Sequence, residues 1–75
     1  MILQQFDNLG TIERKVLGAL IILADQNKIA YASLIDIADL IGYKKTGGAL
    51  TFAIKILERD NYIVKIGQRK YKILI

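Results

Sequence analysis

The 75-residue chain contains no cysteine, no histidine and no proline. Each absence removes a class of chemistry. Without cysteine there are no disulfides and no thiolate metal sites. Without histidine the usual general base and the commonest metal ligand are gone. Without proline, helices must be stopped by glycine or asparagine. Long apolar runs are missing too. The longest, Val16 to Ala24, falls far short of the roughly 20 residues a membrane-spanning helix needs. The opening residues, MILQQFDNLG, carry no basic leader and no extended apolar stretch, so no targeting segment is expected. From these features a soluble, cytoplasmic protein is expected.

What is present is a dense apolar complement. Hydrophobic residues make up 53% of the chain, which a domain this small requires if it is to bury a core. The length allows a single domain, residues 1–75. Abundant isoleucine, lysine and leucine suit a thermophilic intracellular protein. Charge is segregated along the chain. Residues 1–40 hold three cations and five acids, residues 41–75 eight and two, so the halves carry −2 and +6. A basic C-terminal half points towards a polyanionic partner.

Apolar periodicity predicts a first helix over about residues 12–24, with Thr11 as N-cap and Ile12, Val16, Ala19, Leu20 and Leu23 on its buried stripe. The opposite face carries Gly18, Ile21 and Ile22 beside Arg14 and Lys15. Two arrangements satisfy that patch: the N-terminal segment with Ile2, Leu3 and Phe6 folds over it, or it forms a homodimer interface. Polar residues 25–28 end the helix, and Ile29 to Ala32 suit a short strand.

A second helix is predicted over about residues 34–41. Ser33 and Asp36 approximate a capping box, Leu34, Ile37, Ala38 and Ile41 face inward, and Gly42 stops it. A third is predicted over about residues 47–60, with Leu50, Ala53, Ile54 and Leu57 buried and Asn61 as a left-handed stop. Residues 62–74 read as a hairpin. An even loop around Gly67 and Gln68 would place Tyr62, Val64, Ile66, Tyr71, Ile73 and Ile75 on an apolar face. Lys65, Lys70 and Lys72 would then share a basic face, with Ile63 and Leu74 as apolar exceptions on it.

Enzymatic motifs are weak. Asp36 and Asp39 sit on the solvent side of the second helix and read as surface acids. GYKKTGG lacks the residue order of a P-loop. No set of residues has the spacing for metal binding or nucleophilic catalysis, so neither enzyme activity nor a cofactor is expected.

The unit from Ser33 to Lys72, a capped helix, glycine turn, second helix and basic hairpin, resembles a winged helix-turn-helix. The string Ile37-Ala38-Asp39-Leu40-Ile41-Gly42 matches that family's aliphatic–alanine–spacer–glycine pattern. The resemblance spans Ile12 to Leu74 and implies an α+β fold, three helices followed by a β-hairpin wing. It also implies double-stranded DNA as partner and a role in transcription regulation. The single small domain further resembles the compact regulators of archaea, their plasmids and viruses. Carried over by position, Thr46, Gly48, Ala49, Thr51, Phe52 and Lys55 would meet base edges or nearby phosphates from the third helix. Lys44 and Lys45 would clamp the backbone, and Arg69, Lys70 and Lys72 would act from the wing. Two departures stand out. Phe52 and Ile56 occupy positions where the family often carries polar residues, and the helix has no Arg, Asn or Gln before Arg59. Apolar groups there suit thymine methyls, or a protein partner docked on the same face. An RNA-binding winged helix is a third option.

Overall fold

The computed structural model describes residues 9–43 and 48–75. Its elements run α1 (Thr11–Leu23), β1 (Ile29–Tyr31), α2 (Leu34–Ile41), α3 (Gly48–Arg59), β2 (Ile63–Gly67) and β3 (Lys70–Ile73). This is an α+β fold: the helices pack on a small antiparallel sheet of order β1-β3-β2. The topology is winged-helix-like.

Local chemistry explains most boundaries. α1 begins one residue earlier than expected. Gly10 is its N-cap and Thr11 its first helical residue. The reason is Glu13, whose Oε1 accepts the Gly10 N–H at 3.1 Å, the reach of a capping-box acid three residues on. After α1, Asp25 Oδ1 accepts the N–H groups of Asn27 (2.8 Å) and Ile29 (3.0 Å), folding the turn back into β1. α2 opens on the expected reciprocal cap. The Asp36 N–H donates to Ser33 Oγ at 3.2 Å, and the Ser33 N–H donates to Asp36 Oδ2 at 3.0 Å. It ends at Gly42, which takes a left-handed φ of 76°. The N–H of Tyr43 then bonds the Ala38 carbonyl at 2.8 Å. α3 ends the same way with asparagine: Asn61 has φ 64°, and the Tyr62 N–H reaches the Leu57 carbonyl at 2.9 Å.

The core is the buried stripe of each helix closed by the inner face of the sheet. Leu20, Ile37, Leu50, Leu57, Ile63 and Val16 are the largest fully enclosed side chains. All the apolar residues expected inward from α3 are buried. α1 is rotated slightly from the expected stripe: Leu17 is buried with Val16, Ala19 and Leu20, while Ile12 and Leu23 are half-buried against the core. Among the described residues, nothing packed against Gly18, in mid-helix, requires a glycine there. A Cβ built on it would meet nothing within 4 Å, yet glycine there costs about 1 kcal/mol relative to alanine.

The hairpin departs from expectation. Ile63 pairs with Ile73, Val64 with Lys72 and Lys65 with Tyr71, and then a bulge shifts the register so that Gly67 faces Lys70. The turn is Gln68–Arg69, one residue later than expected. Arg69, not Gly67, takes the left-handed conformation, with φ 56°. The expected face assignment is therefore inverted along β2. Ile63 is 1% exposed, whereas Val64 and Ile66 are 40% and 45% exposed. The cause lies at the strand's start. The cap that closes α3 uses Asn61 and Tyr62, Tyr62 packs half-buried at the core's edge, and Ile63 is the first residue of the strand to be fully enclosed. Alternation then puts Lys65, itself exposed, on the helix side of the sheet opposite Tyr71, and the bulge absorbs the odd residue.

Candidate nucleic-acid interface

Beside Lys65 the structure opens a groove of about 530 Å³ bounded by three elements. The start of α2 contributes Ser33, Leu34 and Ile35. The flank of α3 facing the wing contributes Thr51, Ile54, Lys55 and Glu58. The hairpin contributes Lys65, Gln68, Arg69 and Tyr71. Ile54 and Tyr71 form a buried floor, and the polar groups stand at the walls. The groove thus carries three cations against one acid. None of Lys55, Lys65 and Arg69 makes a salt bridge among the described residues, where Arg59 and Asp60 pair at 3.1 Å.

The wing is short and tied down. The carbonyl of Arg69 accepts the Ala32 N–H at 3.0 Å, so the tip of the hairpin is held beside the start of α2. That bond places the Arg69 side chain at the groove's edge. Arg69 is close enough to Asp36 for its charge to help hold the Asp36 carboxyl below the ordinary carboxylate range, after the larger effect of the two Ser33 hydrogen bonds. The Tyr71 hydroxyl, pushed up by burial and by the charge of Glu58, stays neutral near neutral pH.

The residues expected at a site divide into groups. Thr51, Lys55 and Arg69 converge on the groove. Gly48 lies along the outward crest of α3, and Ala49 and Phe52 with half-buried Ile56 turn to the flank away from the groove. Phe52 is 64% exposed. Lys70 and Lys72 are not with Lys65. They project from the opposite face of the sheet, where Lys72 sits between Ile29 and Val64 in register. Lys70 Nζ lies 5.4 Å from the centre of the Tyr31 ring. Lys44, Lys45 and Thr46 lie outside the described residues. Gly18, Ile21 and Ile22 share the outer face of α1, with Ile21 46% and Ile22 71% exposed.

Lys65, Gln68 and Ser33 were missed as groove residues. Only the bulged register brings Lys65 to this side. The α3 cap at Asn61 marks where β2 can start, but the bulge that fixes its register has no such local signal.

Among the described residues no group of three or more acidic side chains is arranged to hold a metal ion, and no helix is long and apolar enough to cross a membrane. The fold and groove define the class as a winged-helix-like α+β domain. No protein family, curated protein or solved structure matches the chain.

Proposed function

We propose that this chain binds double-stranded DNA through the groove between α3 and the wing, and regulates transcription in the cytoplasm as a binding module without cofactor or catalytic activity. The observation that carries this reading is the convergence of Lys55, Lys65 and Arg69, none salt-bridged among the described residues, on one groove lined by Thr51 and Gln68. A phosphodiester backbone is a linear polyanion, and a row of lysine and arginine across a concave wall releases its counterions. The Thr51 hydroxyl and Gln68 amide donate hydrogen bonds to phosphate oxygens. These contacts set register and orientation.

With the backbone seated there, the N-terminal half of α3 enters the major groove. Gly48 and Ala49 let the helix approach closely. Phe52 contacts base edges through thymine methyls. Lys44, Lys45 and Thr46, in the segment before α3, add phosphate contacts. Lys70 and Lys72 contribute only long-range attraction from the far side of the sheet. The absence of bidentate readers on α3 before Arg59 means that sequence preference is modest and rests partly on DNA shape.

The test is titration of labelled duplexes across a salt series, followed by in-vitro selection of bound duplexes. Affinity falls steeply and log-linearly with salt if the groove holds phosphate; affinity independent of salt rules the reading out. A second reading follows from the exposure of Phe52 beside Ile56: this flank docks a protein. It predicts a partner whose binding is lost in Phe52→Ala and unaffected by salt.

A further inference from the structure

We propose that two copies of this chain pair through the outer face of the sheet and the adjoining side of α2, related by a half-turn about Tyr31. The proposal does not rest on the DNA reading, whose cations Lys55, Lys65 and Arg69 line the α3–wing groove instead. In register, Tyr31 stands beside Lys70, and Lys72 stands between Ile29 and Val64. These side chains share the face of the sheet turned away from the helices. Lys70 Nζ lies 5.4 Å from the centre of the Tyr31 ring. On its other side Tyr31 borders a shallow groove with Leu23, Asp36, Asp39 and Leu40. Asp36, Asp39 and Leu40 are exposed and, at three- and four-residue spacing, share one side of α2. The surface therefore runs from Val64 through the two lysines to Tyr31, and then to the acids of α2.

That order of charge names the occupant. A uniformly acidic partner satisfies Lys70 and Lys72 but is repelled by α2, and a uniformly basic one meets the converse. A surface with the two signs in reverse order fits both, and a half-turn of this same surface supplies it, as a two-fold interface requires. Each lysine pair then faces the partner's Asp39. Asp36 adds less, because it already accepts the Ser33 N–H at 3.0 Å and feels the charge of Arg69. Among the described residues neither Asp39 nor Lys72 forms a salt bridge within its own chain. Tyr31, 58% exposed, meets its own copy at the axis, where an aromatic ring contributes most. Exposed Leu40 and Val64 flank the charged groups on either side.

Charge reversal with mixing tests the pairing. Sedimentation of the full chain without DNA gives a dimer. Lys72→Glu and Asp39→Lys, both at exposed positions, each stay folded by circular dichroism and each weaken self-association about tenfold or more, because a two-fold interface contains every substitution twice. An equimolar mixture of the two variants recovers a dimer within about threefold of the original affinity, since unlike charges face each other again. Ile22→Lys, on the outside of α1, leaves the dimer intact. A wild-type chain that is monomeric at about 1 mM overturns the proposal. So does a dimer that survives both reversals, or one lost in Ile22→Lys, which would place the contact on α1. Failure of the mixture to recover overturns the charge pairing, and growth into longer oligomers overturns the two-fold.

Discussion

The two flanks of α3 differ in chemistry although one helix builds both. The flank towards the wing carries Thr51, Lys55 and Glu58 and is completed by Lys65, Gln68 and Arg69 from the hairpin. The other carries Ala49, Phe52 and Ile56, with no charged group among them. A polar helix flank becomes a site only when a second element supplies a facing wall. Here the short, anchored wing does so, and the groove gathers cations that lie far apart in the chain. The apolar flank has no such wall. On the proposed reading, phosphate would take one side and base methyls or a protein the other.

The largest effect that would sharpen this comparison comes from removing the wall's charge. The triple change Lys55→Ala, Lys65→Ala, Arg69→Ala should weaken duplex binding by about 10²-fold or more at low salt and lower the salt slope by roughly three contacts. Unchanged binding would place the DNA surface elsewhere. Next in size is the register that creates the wall. Ile63→Ala should cost about 2–4 kcal/mol of stability, because it empties a fully enclosed site. Val64→Ala should cost a few tenths at most. Denaturant unfolding of the two variants reads this directly, and equal costs would mean that the hairpin is not bulged as described. Phe52→Ala should change duplex affinity by about threefold or less while altering the preference for thymine-rich sites. A loss as large as that of the triple variant would move the main contact to the other flank.

The smallest expected effect concerns pH. The Asp36 carboxylate lies below the ordinary range because it accepts the Ser33 N–H and is paired with the Ser33 hydroxyl in the α2 cap, with Arg69 adding a lesser contribution. A depressed acid stabilises the fold above its unfolded pKa, and that contribution is lost as pH falls through the folded value. Stability should therefore drop on acidification below about pH 4, and Asp36→Asn should flatten that part of the profile. An identical profile in the variant would show that the cap does not titrate.

Much of the fold was legible because its signals are local. Ser33 with Asp36, Gly42, Asn61 and the stripe Leu50, Ala53, Ile54, Leu57 each act within one or two helical turns, and each is found as expected. The capping acid of α1 was visible as well, although its partner is Gly10 rather than Thr11. The hairpin was less legible because its phase is non-local. Gly67 resembles a turn residue, but the left-handed position falls on Arg69, and a bulge before Gly67 decides which side chains face inward. One residue of slippage exchanged the faces of β2. It turned a uniform basic face of Lys65, Lys70 and Lys72 into two separate groups. Half of the groove was therefore readable from α3, and the other half required the sheet.

That separation supplies the most direct test. Lys65 and Lys72 carry the same charge on the same hairpin, on opposite faces of the sheet. Alanine at either removes the same net charge, so long-range attraction changes equally. Measured against one duplex at low salt, Lys65→Ala should weaken binding about tenfold and reduce the salt slope by about one, while Lys72→Ala should weaken it by no more than about twofold. Equal losses, or a larger loss for Lys72→Ala, would contradict a DNA backbone seated in the α3–wing groove.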